Sequence, residues 1–261
     1  MQKTPVTIRL SDFPECFHPL LQDAAIFDSS SSPQAKVWFI DKENGYYLKK
    51  SAKDTLCREG EMTRYFHKMG LAAEVLAYES LEDDWLLTAA IDGEDCVSPE
   101  HLADPARLCA VLGKLLRRLH DTDPTGCPVT DHTATYLAAA EKSYLSGNFD
   151  ASHIPQAACF ADRDAAWQYV QAHRHLLKND TLIHGDFCLP NIILKDWQPA
   201  ALIDVDHGGI GDRHVDLFWA IWSLRFNTNT DQWADAFLDA YGRDRVDPEI
   251  LRLIAAIEVF G

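Results

Sequence analysis

The sequence predicts an α+β fold in two lobes, a small β-rich N-terminal lobe over residues 1–90 and a larger, mainly helical C-terminal lobe over 91–261. Three observations carry that expectation. Strand-like runs are concentrated in the first ninety residues, and a break at Asp92-Gly93 marks a connector over 89–97. From Ser98 onward apolar residues step at three and four, the spacing of a buried helix face. The chain has 261 residues, 47% hydrophobic and 25% charged, a globular composition with enough length for two lobes. Two lobes imply a cleft, and clefts are preferred ligand sites.

Taken in order, Lys36–Ile40 and Tyr46–Lys50 read as strands joined through Asn44-Gly45, a dipeptide that favours a type I′ hairpin turn. Asp54 is placed to cap a helix running to about Met69, which Gly70 ends. Strands follow at Glu74–Glu79 and Trp85–Thr88. Ser98-Pro99-Glu100 then opens a helix whose buried face carries Leu108, Val111, Leu112, Leu115, Leu116 and Leu119. Further helices are expected at 132–145, 162–177, 212–224, 231–241 and 247–260, the last two capped by Asp231 and Asp247. Short β signals lie at Thr181–Ile183, Ile192–Leu194 and Ala201–Ile203, so the helical lobe is expected to carry a β-hairpin.

Charge and cysteine usage exclude several classes. Forty acidic against 24 basic side chains give a net charge of −16, which argues against nucleic acid and suits a cationic partner. No apolar run reaches membrane-span length, and the opening MQKTPVTIRL has no hydrophobic signal core. The seven cysteines (16, 57, 96, 109, 127, 159 and 188) are scattered and never in C-x-x-C spacing, against a disulfide framework or structural zinc. The expectation is a reduced, cytoplasmic monomer.

The chemistry is concentrated in His184-Gly-Asp186-Phe-Cys-Leu-Pro-Asn191, followed by Ile203-Asp204. A buried strand delivers His184 and Asp186 into a loop, and a short hairpin between Asn191 and Asp204 brings two carboxylates and one amide to the same end. Phosphoryl transfer needs such groups: a carboxylate to orient the attacking hydroxyl, and an amide and second carboxylate to hold Mg²⁺ on the phosphates. The order His-x-Asp-x4-Asn then Asp is that of a kinase catalytic loop and its metal-binding Asp. Each part alone is ordinary turn chemistry; order and spacing decide. No P-loop motif occurs. The Ser29–Gln34 stretch, Ser32 included, sits between the first strands, where small serines with free backbone N–H groups can cradle phosphate. Gly208-Gly209-Ile-Gly211 does not match a dinucleotide fingerprint.

His184–Asn191, Ile203–Asp216, the Tyr46–Lys49 strand and Arg58-Glu59 together resemble the aminoglycoside 3′-phosphotransferases, antibiotic kinases with a protein-kinase-like bilobal fold. The similarity runs from about Ser32 to Phe260. The resemblance implies Asp186 as catalytic base and Asn191 and Asp204 as Mg²⁺ ligands. It selects Lys49 over Lys50 and Lys53, and Glu59 over Glu61, as the pair that holds the phosphates of ATP or GTP. It implies Tyr47 stacked on the adenine, the backbone of Ala89 and Ile91 on the adenine edge, and Asp216 bracing the catalytic loop. For a small cationic amino-sugar acceptor it implies contacts from Glu258, Phe260, Asp150 and His207. The chain departs from the family at Ile257, at the extra Gly261, at Asp206-His207 and in the insert Asn148–Pro155, which has one carboxylate; these bear on acceptor choice.

Rival readings are a kinase of another amino-sugar or choline-like metabolite, a phosphatase on Asp204-Val-Asp206, a binuclear metallohydrolase on His184, Asp186, Asp204, His207 and His214, and a kinase fold kept as a binding module. The phosphatase motif belongs early in a doubly wound sheet, and only about 55 residues follow Asp206 here. The binding module gains no support, since every catalytic group is present.

Overall fold

A computed structural model describes residues 3–152, 154 and 160–261, so His153, Pro155 and Cys159 lie outside the described residues. The chain divides into two compact units, Met1–Ser98 with Ile192–Asp206 and Pro99–Asn191 with His207–Gly261.

The first unit is built on an antiparallel sheet of β1 (Thr4–Pro5), β2 (Ala25–Asp28), β3 (Ala35–Asp41), β4 (Tyr46–Ala52), β5 (Val75–Ser80) and β6 (Asp83–Ala89), in the order β1-β2-β3-β4-β6-β5. Alternation assigns the faces of β4. Leu48 is fully buried with Ile40, Ile26 and Trp85, and the short helix α1 (His18–Leu21) covers that core through Leu21. Tyr47 and Lys49 point the other way, into a cavity described below. The β3–β4 turn is not the two-residue type that Asn44-Gly45 favours. Ile40 pairs with Tyr46, and the left-handed residues are Glu43 (φ 53°) and Gly45 (φ 86°), so the loop is longer and Asn44 is not left-handed.

Helix α2 (Cys57–Lys68) shows why its cap was misjudged from sequence. Asp54 lies in the left-handed region (φ 64°) and Leu56 is the N-cap residue, without a side-chain bond. The fully buried Asp84 of β6 supplies the acceptor instead, taking the Leu56 N–H at 2.9 Å. The C-terminus does follow the sequence. Gly70 (φ 68°) donates to His67 O at 2.8 Å and Leu71 to Phe66 O at 2.9 Å, a Schellman pair.

The hairpin of β9 (Ile192–Lys195) and β10 (Gln198–Leu202), expected in the helical lobe, packs in this first unit. The reason is β7 (Glu94–Asp95), which pairs with β9, while Cys96 N donates to Ile192 O at 3.1 Å and Leu202 N to Leu71 O at 2.7 Å.

The second unit is helical. Its described helices are α3 (Pro99–Leu102), α4 (Pro105–His120), α5 (His132–Leu145), α6 (Arg163–His173), α7 (His214–Thr228), α8 (Trp233–Tyr241) and α9 (Pro248–Glu258). The helix expected from Ser98 is broken at Asp104-Pro105, because Asp104 accepts from Arg107 N and starts α4 afresh. Asp247 caps α9 through Glu249 N at 2.9 Å, whereas α8 begins at Gln232 with no side-chain cap from Asp231. Gly113 lets α4 meet α8: a Cβ there would lie 2.7 Å from Tyr241 N. The glycine cluster forms β11 (Gly209–Gly211), which pairs antiparallel with β8 (Thr181–Ile183) and so backs the strand leading into His184. No described helix is long and apolar enough to cross a membrane.

Candidate active site

In the first unit a cavity opens between the sheet and the β9–β10 hairpin, walled by Val37, Ala73, Leu86, Ile193 and Leu202 and floored by Lys49, Glu59 and Asp204. Lys49 Nζ lies 2.8 Å from Glu59 Oε2 and 2.9 Å from Asp204 Oδ1. Burial disfavours the ammonium, but Asp204 and Glu59 outweigh it and raise the Lys49 pKa, so the lysine stays charged. Burial pushes the Glu59 carboxyl up, Lys49 pulls it down, and Asp204 and Asp206 push it up again. Asp204 is held at φ 53°, a strained setting for a non-glycine residue and one common at functional sites. The neighbouring lysine faces elsewhere: Lys50 pairs with Asp83 at 2.7 Å and lies over the Trp85 ring.

Tyr47, Ala89 and Ile91 line the same cavity. The Tyr47 ring packs 5.2 Å from Phe39, and burial, with Glu94 and Asp95 adding to it, raises the phenol pKa. The Ala89 N–H is already engaged, donating to Glu74 O at 3.0 Å. Ser32 is exposed and does not line the cavity; Ser29 and Ser31 do. Ser30 ties the loop, its N–H donating to Asp28 and its hydroxyl accepting from Val37 N, which turns Ser29 and Ser31 inward. The Ser29 hydroxyl is buried without a protein partner, an orphaned polar atom in a cavity suited to phosphate oxygens.

In the second unit the His184–Asn191 loop is held by backbone and buried side chains. Asp216, in the first turn of α7 and fully buried, accepts His184 N at 2.8 Å, Gly185 N at 2.7 Å and His120 Nε2 at 3.0 Å. His120 Nδ1 in turn accepts the Tyr241 hydroxyl at 2.9 Å, which fixes a neutral ring protonated on Nε2. Burial lowers the His120 pKa against the pull of Asp216, in keeping with that tautomer. Burial opposes the Asp216 charge, but its hydrogen bonds prevail and lower its pKa. Gly185 is required: at φ 85° a Cβ would stand 2.0 Å from His207 O. Asp186 N donates to His184 Nδ1 at 3.2 Å, and Leu189 N to Ser223 Oγ of α7 at 2.9 Å.

Asn191 Nδ2 donates to Asp186 Oδ2 at 2.8 Å and to Asp186 O at 3.0 Å. The amide nitrogen thereby fixes one oxygen of the half-buried Asp186 and leaves Asn191 Oδ1 as an acceptor. Among the described residues, no group of three or more His, Cys, Asp or Glu side chains forms a metal site by itself. Mg²⁺ typically takes one or two protein oxygens and completes its shell with phosphates and water. The Asn191 amide oxygen in the second unit and the Asp204 carboxylate in the first are each hard oxygens of that kind, and neither unit holds a self-contained metallohydrolase centre among its described residues. His214 is spent structurally, Nδ1 on Asp212 Oδ1 and Nε2 accepting Asp247 N. The phosphatase reading fails on topology, since every described strand pairing is antiparallel.

The expected acceptor residues separate. Glu258 is buried, and its Oε1 accepts both the Tyr136 hydroxyl at 2.6 Å and the Trp219 indole N–H at 3.1 Å. Burial pushes its carboxyl up to about 7, against those two donors. Phe260 is 2% exposed and packs against Tyr144 and Trp167, so it is core, not a ligand contact. Ile257 is equally buried. Asp150 is exposed, its N–H on Val259 O and its carboxylate on Ser152 N. His207 ends a 3-10 turn with its side chain exposed. Tyr136, Trp219, His120 and Ser223 were not singled out from sequence, because nothing local marks a helical side chain as a partner of a residue 34 to 122 positions away.

The fold is that of small-molecule kinases. A solved aminoglycoside-3′-phosphotransferase of type VIII superposes with a TM-score of 0.74 over 99% of this chain and 94% of that one, at 21% identity. An aminoglycoside phosphotransferase from Streptomyces rimosus, solved with ADP and streptomycin, matches 97% of this chain and 99% of that one with a TM-score of 0.70 and 20% identity. A probable aminoglycoside 3′-phosphotransferase of Lactococcus lactis is 46% identical over 97% of each chain. A family model described as "Phosphotransferase enzyme family" matches residues 25–254, and the chain belongs to that family.

Proposed function

We propose that this phosphotransferase moves the γ-phosphoryl group of ATP or GTP, with Mg²⁺, to a hydroxyl of an aminoglycoside, the 3′-OH. The observation that carries the reading is the 46% identity, over 97% of both chains, with the Lactococcus lactis relative named for that activity. The retained chemical groups support it. In this reading Asp186 accepts the hydroxyl proton on the oxygen that Asn191 leaves unclaimed. Lys49, kept charged by Glu59 and Asp204, holds the nucleotide phosphates, and Ser29 and Ser31 face the same cavity. Asn191 Oδ1 and the Asp204 carboxylate would hold Mg²⁺, which when bound would supply positive charge at the phosphates. Little covalent chemistry falls to the protein; positioning and electrostatics supply the rate.

The test is nucleoside-diphosphate release with ATP or GTP and Mg²⁺, with and without kanamycin. Release is expected to depend on the drug and to fall by several orders of magnitude, about 10³-fold or more, in Asp186→Ala. Release indifferent to drug would move the function to another hydroxyl acceptor, and an active Asp186→Ala would remove that residue as base.

A further inference from the structure

Helix α7 does two things at once. It anchors the catalytic loop, through Ser223 Oγ on Leu189 N at 2.9 Å and the Trp219 carbonyl on Cys188 Sγ at 3.8 Å. It also carries Trp219, Trp222 and Phe226 at i, i+3 and i+7, one face of a helix. Their rings are contiguous. Trp219 and Trp222 meet edge to face at 5.5 Å, and Trp222 stacks on Phe226 at 5.1 Å with 11° between planes. The inner end of this ribbon is polar, where the Trp219 indole donates to buried Glu258. The outer end is open, with Phe226 69% exposed. Trp222 is half-buried and Phe226 exposed, so the stacked pair reaches from the flank of α7 out to solvent. It offers electron-rich ring faces, which attract ammonium groups.

We propose that the Trp219–Trp222–Phe226 ribbon is the acceptor platform: ammonium-bearing sugar rings lie along its outer rings, while buried Glu258 fixes the inner end by holding the Trp219 indole. The inference rests on the aminoglycoside reading above and deepens it by naming the surface that recognises the polycation. Three features choose that occupant. The ribbon runs from a carboxylate, it belongs to the helix that anchors the Asp186 loop, and the chain carries −16 net charge, complementary to a polyamine. Arg225, the basic residue beside the ribbon, is drawn aside to Asp231 at 3.2 Å.

The experiment is calorimetric titration of the full chain with kanamycin in the absence of nucleotide. Trp222→Ala/Phe226→Ala is expected to weaken Kd by about 5- to 30-fold, the size of two partly exposed cation–π contacts. Trp222→Phe should stay within about threefold of the parent, and Phe226→Leu, apolar but without a π face, should weaken binding like Phe226→Ala. In turnover assays KM should rise more than kcat falls. An unchanged Kd in a double variant with parental circular dichroism overturns the platform, as does a parent that does not bind kanamycin. Sedimentation showing a parent dimer that the double variant dissolves would also overturn it, by assigning the ribbon to self-association. Failure of the aminoglycoside reading is seen separately, as drug-independent nucleotide turnover by the parent.

Discussion

Two carboxylates at 0% exposure, Asp84 in the first unit and Asp216 in the second, solve one problem in different ways. Asp84 gathers hydroxyl donors from its own neighbourhood, Ser80 Oγ at 2.7 Å and Tyr78 OH at 3.0 Å, and takes the backbone of Asp54 and of Leu56, the latter at 2.9 Å, at the start of the helix that carries Glu59. Asp216 takes two consecutive backbone N–H groups of the His184–Asn191 loop and a neutral histidine. Neither relies on an opposing fixed charge. Burial penalises both anions, and hydrogen bonds more than offset it, so both pKa values are lowered. The Lys49–Glu59–Asp204 cluster, in contrast, is held by charge and stays accessible from the cavity. A buried carboxylate with neutral donors fixes backbone; a charge cluster stays responsive to a charged ligand.

The sharpest way to break this comparison is to remove each carboxylate. Asp216→Ala strands two buried N–H groups and the His120 ring, and is expected to destabilise by about 4 kcal/mol in denaturant unfolding and to lower kcat by about 100-fold or more. Asp84→Ala should lose about 2–3 kcal/mol, because the backbone donors of Asp54 and Leu56 and two hydroxyls are freed, and should raise the nucleotide KM more than it lowers kcat. Identical kinetic signatures from the two variants would sink the distinction.

Acid titration probes both at once. Their folded pKa values are depressed, so their stabilisation is present above the ordinary Asp value of about 3.9 and is lost as pH falls through the lower folded values. Glu258 has the opposite sign. Its carboxyl is raised to about 7, so its contribution is present below about 4.5 and is lost as pH rises through about 7. Unfolding curves at pH 4.5 and 8 should differ by up to about 3 kcal/mol from this group, and Glu258→Gln should remove most of that difference. The smallest effect belongs to β4 register. Lys50→Met loses a pair with partly exposed Asp83 and should change stability by less than about 1 kcal/mol with nucleotide KM unaltered, while Lys49→Met abolishes nucleotide-dependent turnover. An equal response from the two lysines would contradict the facing of the strand.

Legibility tracks how local the cause is. The β3 and β4 strands, the Gly70 stop and the Asp247 cap were readable because period-two alternation, a left-handed glycine and an N-cap are near-neighbour physics. The Asn44-Gly45 turn, the Asp54 and Asp231 caps and the unbroken helix from Ser98 were misread where a distant partner or a second cap competed, most plainly where Asp84 replaced Asp54 at α2. At the site, the order His184, Asp186, Asn191, Asp204 was visible as a motif because those residues sit on one strand, loop and hairpin. Phe260 was misassigned because its exposure depends on Tyr144 and Trp167.

By itself, then, the sequence determined the α+β class, the hairpins, the acidic charge and the family, all properties of short segments or of their order along the chain. Only the tertiary structure decided that the β9–β10 hairpin packs with the first sheet and that Asp216, His120 and Tyr241 form one buried relay. It alone placed Ser29 and Ser31 rather than Ser32 in the cavity, and opened an aromatic ribbon outward from Glu258. The physical reason is burial: whether a carboxylate braces backbone, meets a cation or stays protonated is set by donors and desolvation that arrive from other elements of the fold.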